Sequence, residues 1–202
     1  MKTRNEYENL YWQQGLTLCG IDEAGRGPLA GPLVVGGAVF PIGYDSGEIY
    51  DSKKLSEKKR EELFEVIKRD ALFWQVEIVE PEEIDRLNIL EADRQAMIRI
   101  ALAAPTDIIL TDAVDLPIEK KVTSLIKGDM LSCSIAAGSI LAKVTRDRIM
   151  YEYDKLYPEY GFARHKGYPT KEHLEALRTY GVLPIHRRSY RPVVECLQER
   201  LF

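Results

Sequence analysis

The chain has 202 residues, of which 45% are hydrophobic, and this suits one globular domain with a substantial core. Its three cysteines, Cys19, Cys133 and Cys196, are far apart and odd in number, which argues against a disulfide framework or a zinc site and favours a reducing, cytoplasmic location. We expect neither a signal peptide nor a membrane span, because the chain starts with polar residues and no apolar run reaches about 18 residues.

Charge is unevenly distributed along the chain, although the net value is only −4. From Lys143 onward there are 12 Lys and Arg against 8 Asp and Glu, so the earlier residues carry the acidic excess. An acidic part followed by a basic part suits a protein that holds a polyanion near metal ions. Ordinary surface charge would produce the same numbers, so binding of a polyanion has to be inferred from sequence motifs.

Apolar periodicity and turn residues predict alternating strands and helices in chain order. The predicted strands are 16–22, 33–40, 72–79, 107–111 and 122–127. The predicted helices are 6–14, 56–69, one long helix over 81–101, another over 132–156, and two more after a basic loop. Hairpin-like strands followed by strands that alternate with helices predict an α/β fold, with a mixed sheet flanked by helices.

The segment 18–28, LCGIDEAGRGP, ends an apolar run in two adjacent carboxylates, Asp22 and Glu23, and turns at once through Gly-Arg-Gly. Neighbouring strand residues point to opposite faces, so each carboxylate has a fixed direction. Glycines beside an arginine let backbone N–H groups and a guanidinium approach an anion closely. Because acids and an anionic ligand repel each other, this pattern predicts a divalent cation between them and hence a phosphoester site.

Three aspartates, Asp22, Asp112 and Asp129, each follow an apolar run that predicts a strand. Carboxylates at neighbouring strand ends converge at one edge of an α/β sheet, where ligands commonly bind. Such oxygen ligands suit Mg²⁺ or Mn²⁺, and two such ions would serve in-line phosphoryl displacement. A single aspartate after a strand is more often a turn former or a helix cap, but four acids including Glu23 weaken that interpretation.

The glycines of the same segment also match a dinucleotide-binding fingerprint, Gly25-x-Gly27-x-x-Ala30. That fingerprint requires a helix to begin within the turn. Pro28 and Pro32 prevent a regular helix, and the chain enters another strand directly afterwards. We therefore set nucleotide-cofactor binding aside.

Two basic segments are candidates for phosphate contacts. Over 143–148, Lys143, Arg146 and Arg148 could reach phosphate, although a solvated helix face is the more common reason for such charges, and Asp147 is expected to pair with a cation on that helix. The loop 165–173 surrounds Tyr168 with His165 and Lys166, and an aromatic ring among cations can stack on a sugar or base. Buried packing is an equally good reason for Tyr168. Lys53 and Lys54, just before a helix, are further candidates.

Taken together, these segments resemble the type 2 ribonucleases H, the bacterial-type ribonuclease HII family. The resemblance is carried by six segments that occur in family order, namely 20–32, 51–56, 111–117, 127–150, 165–173 and 185–193. Gly138 and Pro169 depart from the residues common in the family. The second departure affects the pose of Tyr168, whereas the first concerns packing. The short segment before the first strand and the acid at 129 favour type 2 over type 3 enzymes.

The resemblance implies one ribonuclease H-like catalytic domain over 1–202, in which 157–202 form a basic, helical C-terminal portion. It implies a metal-dependent endoribonuclease that uses Mg²⁺ or Mn²⁺ and cuts on the 5′ side of ribonucleotides, leaving 3′-OH and 5′-phosphate ends. Its substrates would be RNA–DNA hybrids and duplex DNA with a single ribonucleotide. The implied catalytic, metal-binding residues are Asp22, Glu23, Asp112 and Asp129, and the implied readers of the ribonucleotide and its neighbour are Gly25, Arg26, Gly27 and Tyr168.

Two other functions stay open from the residues themselves: a nucleic-acid binder without catalysis, and a two-metal enzyme that cuts DNA. The acidic set argues against the first, and the Gly-Arg-Gly turn argues against the second if it reads the 2′-OH. The last residues, including Gln198, Leu201 and Phe202, are similar to peptides that dock on bacterial sliding clamps. An amphipathic helix end is the simpler interpretation of that segment. We expect a monomer.

Overall fold

The fold is described for residues 5–50 and 52–199 of a computed structural model. Five strands form one sheet: β1 (Cys19–Ala24), β2 (Leu33–Val39), β3 (Phe73–Val79), β4 (Ile108–Asp112) and β5 (Lys121–Leu125). The described residues form eight α-helices: α1 (Glu6–Trp12), α2 (Glu57–Asp70), α3 (Pro81–Leu87), α4 (Ile89–Ala103), α5 (Cys133–Leu156), α6 (Phe162–His165), α7 (Lys171–Tyr180) and α8 (Arg191–Glu199). None of these helices combines the length and the apolar character that a membrane crossing requires.

The sheet is mixed, as predicted, with the strand order β3-β2-β1-β4-β5. β2 runs antiparallel to both β1 and β3, whereas β4 and β5 run parallel to β1 and to each other. β2 is buried along its whole length, which explains its uninterrupted apolar and glycine sequence. The parallel pair β1 and β4 brings two carboxyl-terminal strand ends to the same edge of the sheet.

Helices cover both faces of the sheet and bury a separate apolar cluster on each. On one face, α4 packs Met97 and Ile100 against Ile21 and Val35. On the other face, α5 and α2 pack against the far side of β2. The α/β fold expected from the order of elements is therefore confirmed.

The long helix α5 lies unusually close to the sheet because glycines face it. A Cβ atom on Gly20 would lie 2.1 Å from the backbone nitrogen of Ile135, and one on Gly36 would lie 2.3 Å from the carbonyl oxygen of Gly138. Gly138 in turn faces Gly36, so helix and strand backbones meet with no side chain between them. The predicted close approach of the small residues in α5 is confirmed, and it holds the acidic end of β1 against a rigid helix.

One predicted helix is wrong. The chain over 81–101 forms two helices, α3 and α4, which are separated at Asn88. Asn88 has a φ of +67°, and its side chain accepts hydrogen bonds from the backbone N–H groups of Leu90 and Glu91. Asparagine tolerates this left-handed backbone and caps helix starts well, so it ends one helix and begins the next.

The C-terminal portion, from residue 157 onward, is hydrogen-bonded to the loop that follows β1. The backbone N–H of Leu29 donates to Gly167 O at 2.8 Å, that of Gly31 donates to Ile185 O at 2.8 Å, and Arg187 N–H donates to Leu29 O at 2.8 Å. The four-residue helix α6 was not predicted, whereas α7 and α8 correspond to the two expected helices. Because three backbone bonds join it to this loop, the C-terminal portion helps to shape the turn beside Asp22 and Glu23.

Candidate active site

Asp22 and Glu23 lie near the end of β1, where the strand is paired on one side only. β1 pairs with β2 up to Ala24, but its pairing with β4 ends at Ile21 opposite Thr111. The next residue on each of the two parallel strands is an aspartate, so Asp22 and Asp112 adjoin. Asp22 is buried, and its Oδ1 atom accepts the backbone N–H of Glu23 at 2.8 Å.

Asp112 connects the end of β4 to the turn that contains Asp129. Its Oδ1 atom accepts the backbone N–H of Gly128 at 3.0 Å. The expectation that Asp129 directly ends a strand is wrong, because β5 ends at Leu125 and Asp129 lies in a 3-10 turn, Gly128–Met130. The left-handed backbone of Lys127, with a φ of +60°, redirects the chain. Asp129 is buried next to the residue that Asp112 binds.

The acids at this sheet edge are electrostatically unfavourable to one another. Burial, followed by the charges of Glu23 and Asp112, raises the pKa of Asp22 well above its usual range, although the Ser139 hydroxyl opposes this. Burial and the charge of Asp93 raise the pKa of Glu23 to about 7, while Arg26 acts in the opposite direction. The Oε2 atom of Glu23 is buried with no hydrogen-bond partner among the described residues. The positive charge nearby, including that of Arg26, does not fully balance these acids.

These residues fit a hard divalent cation by their chemistry. Their donor atoms are all carboxylate oxygens, and one of these oxygens is buried and unbonded, which is the donor set that Mg²⁺ or Mn²⁺ prefers. Within residues 5–50 and 52–199, no three His, Cys, Asp or Glu side chains already form a group that could hold a metal. The fit therefore rests on donor type and on unbalanced charge.

The turn 25–27 requires glycine at its first position. Gly25 has a φ of +103°, and a Cβ atom there would lie 2.2 Å from Nε of the buried Arg146. A Cβ atom on Gly27 would lie 3.5 Å from the ring of Tyr168. Close approach and a positive φ therefore explain the glycine at 25, whereas the contact at 27 is an ordinary van der Waals distance.

The carbonyl groups of this turn are held by a buried arginine from the C-terminal portion. Arg187 donates to Gly25 O at 2.6 Å and to Arg26 O at 3.0 Å, and the Tyr190 hydroxyl donates to Arg26 O at 2.6 Å. Burial lowers the pKa of Arg187, but the guanidinium stays fully bonded through these contacts and a further one to Gly31 O. Neither Arg187 nor Tyr190 is predicted individually from the sequence, although both lie in the segment 185–193.

One acid, Glu23, meets the turn 25–27 and Tyr168 at a cavity of about 250 Å³, which Asp22, Asp112 and Asp129 do not line. The cavity brings together eight of the candidate residues predicted from the sequence. Its lining consists of Glu23, Ala24, Gly25, Arg26, Gly27, Ser52, Lys53, Ser139, Lys143, Arg146 and Tyr168. Two hydroxyls in this lining, of Ser52 and Ser139, lie 2.9 Å apart and join the turn that carries Lys53 to α5. The cavity therefore combines acidic, cationic and aromatic walls.

Lys54, His165 and Lys166, predicted as substrate contacts, do not line this cavity either. Lys54 is exposed in the same 3-10 turn as Lys53. His165 is buried, with its Nε2 atom 2.8 Å from Tyr160 O and its Nδ1 atom accepting the N–H of Gly167. The ammonium of Lys166 lies 3.7 Å from the centre of the Tyr151 ring. Direct substrate contact by these three residues stays a prediction.

Arg146 on α5 is buried, although the sequence favoured a solvent-exposed position for it. The solvated face preferred for it from the sequence is wrong, because Arg146 is buried and donates to Pro32 O at 3.0 Å and to Ala30 O at 3.2 Å. Ala142 and Met150, one turn before and after it, are also buried, and this spacing could have revealed the position. Asp147, in contrast, pairs with Lys143 at 2.7 Å, which confirms its expected role as an ion-pair partner.

Three histidines pack behind Tyr168. The rings of His165 and His173 are stacked at 4.6 Å, and the Nε2 atoms of His173 and His186 lie 3.1 Å apart. Since His173 Nδ1 donates to Tyr168 O and His186 Nδ1 accepts the N–H of Leu183, one proton between the two Nε2 atoms satisfies both neutral rings. Burial lowers the pKa values of His173 and His186 to about 4 and about 3.

The sheet order, the flanking helices and the acidic strand ends define a ribonuclease H-like protein, and comparison with known proteins agrees. The family model for ribonuclease HII matches residues 19–193. The ribonuclease HII of Clostridioides difficile is 54% identical over 194 residues, which cover 94% of this chain and 76% of that protein.

Two solved structures are also similar. The ribonuclease H2 of Pyrococcus horikoshii is 30% identical, with a TM-score of 0.75 over 91% of this chain and 98% of that one. The RNase HII of Archaeoglobus fulgidus, solved in a complex with PCNA, is 29% identical, with a TM-score of 0.74 over 89% of this chain and 96% of that one. The chain belongs to the ribonuclease HII family and is an endoribonuclease of the ribonuclease H type.

Proposed function

We propose that this protein cleaves the phosphodiester on the 5′ side of ribonucleotides, in RNA–DNA hybrids and at single ribonucleotides in duplex DNA, with Mg²⁺ or Mn²⁺ as cofactor. The products would carry 3′-OH and 5′-phosphate ends. The observation that carries the proposal is the shared cavity, in which Glu23 lies beside the Gly25–Gly27 turn and faces the same space as Tyr168. A reading loop and a catalytic carboxylate are thus parts of one site.

Each group of residues has a separate task in this proposal. Asp22, Glu23, Asp112 and Asp129 would hold the cations, which when bound supply positive charge that activates an attacking water and stabilises the departing oxygen. Backbone groups of the turn 25–27 would recognise the 2′-OH, which is the group that distinguishes RNA from DNA. Because Arg187 and Tyr190 fix this turn, it would meet the substrate with little rearrangement.

The remaining cavity wall would bind the nucleic-acid backbone. Lys53 and Lys143 line the cavity and would neutralise phosphates. Tyr168 has 43% of its surface exposed, with Arg146 stacked 5.9 Å from the ring centre, so one ring face would pack on the adjoining deoxyribose. We infer that Lys54 and Lys166 add positive charge outside the cavity, and that His165 shapes the loop that carries Tyr168. We also infer that the whole chain works as one catalytic domain.

The first test uses a labelled DNA duplex with one ribonucleotide, a hybrid duplex and an all-DNA duplex. Incubation with Mg²⁺ or Mn²⁺ should produce a single nick 5′ to the ribonucleotide, and EDTA should abolish it. End analysis of the products identifies the 3′-OH and the 5′-phosphate. Equal cutting of the all-DNA duplex would contradict recognition of the 2′-OH.

The assignment of Asp112 as a cation ligand is tested by comparing it with Asp107, an aspartate just before the start of β4. Asp112→Asn at the carboxyl end of β4 should lower kcat at least about 10²-fold, because it removes a cation ligand. Asp107→Asn, an exposed position just before the same strand, should retain wild-type activity. Asp22→Asn should behave like Asp112→Asn while the far-UV circular dichroism stays unchanged. An Asp112→Asn variant with a normal rate would disprove its role.

A contact between the C-terminus and a sliding clamp is a second candidate function. The Archaeoglobus fulgidus RNase HII, which is similar over most of this chain, was solved in complex with PCNA. Gln198 is exposed near the end of α8, whereas Leu201 and Phe202 lie outside the described residues. A bacterial clamp should bind the full chain, and Leu201→Ala with Phe202→Ala should abolish binding. Equal binding by that double variant would rule the peptide out.

A further inference from the structure

Asp93 occupies a position where helix α4 calls for an apolar residue. Met97, Ile100 and Ala104 follow it at intervals of four, seven and eleven residues, and all of them are buried on the face that packs on the sheet. Asp93 is itself only 1% exposed. Burying a carboxylate in an apolar stripe is costly unless the charge is compensated, and such departures from a pattern tend to mark functional positions.

The charge of Asp93 is compensated by Arg26, which lies in the turn 25–27. Both carboxylate oxygens of Asp93 lack a hydrogen-bond partner among the described residues. The Nε atom of Arg26 lies 3.6 Å from Asp93 Oδ2, while its Nη1 atom lies 3.7 Å from Glu23 Oε1. The guanidinium of Arg26 therefore lies between an acid of the active site and a buried acid from the helix below.

Arg26 favours the charged form of Asp93, because burial raises the pKa of this carboxyl to about 7 and the guanidinium opposes that rise. Asp93 is shielded from water, so its field on Arg26 is weakly screened. The same helix offers a contrast, since Glu91 pairs with Arg94 at 2.9 Å but both side chains are about 40% exposed. Exposed pairs of that kind contribute little.

The main chain of Arg26 is already fixed by Arg187 and Tyr190, which bind its carbonyl oxygen. Its side chain is 37% exposed and lines the cavity, so the ion pairs of the guanidinium set the position of this side chain. Without Asp93, Glu23 would be the remaining acidic partner within 4 Å among the described residues. The guanidinium would then be drawn towards Glu23 and away from its place in the substrate-binding turn.

We propose that Asp93 is a positioning residue, whose buried carboxylate holds the guanidinium of Arg26 away from Glu23 and so keeps the turn 25–27 ready for a ribonucleotide. This inference rests on the proposed function, because it assigns Asp93 to substrate recognition at that site. It acts through Arg26 and has no contact with the reacting atoms.

The test compares Asp93→Asn and Asp93→Leu with Glu91→Gln, an exposed acid on the same helix. On the duplex with one ribonucleotide, both Asp93 variants should raise KM about tenfold or more while kcat changes less than about threefold, because the turn then binds the ribonucleotide less well in the ground state and the transition state alike. Asp93→Leu should keep or raise the melting temperature, since leucine suits the apolar stripe. Glu91→Gln should leave KM, kcat and melting temperature unchanged.

A second experiment asks whether the effect passes through Arg26. In an Arg26→Gln background, adding Asp93→Asn should raise KM no further. An unchanged KM in the single Asp93 variants, or a full tenfold rise in the Arg26→Gln background, would overturn the inference. So would an unfolded Asp93→Leu variant, since the carboxylate would then serve the core. If the wild type fails to cut the ribonucleotide-containing duplex, the proposed function itself fails, which is a different result.

Discussion

Two regions of the molecule bury polar groups in opposite ways. Near the acidic edge of the sheet, Glu23 and Asp93 keep buried oxygens that have no hydrogen-bond partner among the described residues. In the C-terminal portion, Arg187 binds three carbonyl groups and Tyr190, and His173 and His186 share a proton. Buried polar groups in proteins are normally satisfied, so the exceptions indicate where a ligand belongs. In the proposed function, the satisfied region positions the turn, and Glu23 in the unsatisfied region would hold a cation.

The largest effect is expected from breaking the satisfied region at Arg187. Arg187→Met should lower kcat/KM at least about 100-fold and destabilise the protein by about 3 kcal/mol, because several buried carbonyl groups lose their donor. Arg188→Met, at the exposed neighbouring position, should affect stability by less than about 0.5 kcal/mol. Urea unfolding and nicking rates measure both. Equal effects at the two positions would show that the hydrogen bonds of Arg187 are unimportant.

The two regions should also respond to pH in opposite directions. Glu23 has a pKa raised to about 7 from its usual 4.5, so its contribution to stability is present below pH 4.5 and lost as pH rises towards 7. His173 has a pKa lowered to about 4, so its contribution is present above pH 6.5 and lost as pH falls towards 4. Between pH 4.5 and 6.5 the two changes oppose each other in the metal-free protein.

Variants separate these opposing contributions. Relative to wild type, Glu23→Gln should lose about 2 kcal/mol more stability on going from pH 6.5 to 5, and His173→Gln should lose about 2 kcal/mol less. Urea titrations in EDTA at both pH values give the free energies of unfolding. Parallel pH profiles for the two variants would contradict the assigned protonation states.

The smallest effect is expected where the cavity meets solvent. Lys53→Gln should weaken binding of the ribonucleotide-containing duplex a few-fold and reduce the salt dependence of binding by about one phosphate contact. Lys155→Gln, an exposed lysine paired with Glu152 at the end of α5, serves as the control. Fluorescence anisotropy at several salt concentrations distinguishes them. An unchanged salt slope for Lys53→Gln would remove this residue from the substrate path.

Much of the architecture could be predicted because local patterns determine it. The apolar runs predicted all five strands within a few residues, and Ser56 and Ser132 cap α2 and α5 through their side chains. The break at Asn88 was missed because an apolar stripe continues across it. A periodic pattern reports which face is buried, and it does not report where a left-handed residue interrupts the helix.

The sequence by itself determined the family, the acids near the ends of β1 and β4 and the glycines of the turn, because these depend on residue type and spacing along the chain. Only the tertiary structure revealed the groups that arrive from distant segments. Arg187 reaches Gly25, Asp93 reaches Arg26, and Glu8 of α1 accepts hydrogen bonds from Ser132 and Ser134 at the start of α5. Such pairs carry no local signal, since burial and partners are decided by how the chain folds back on itself.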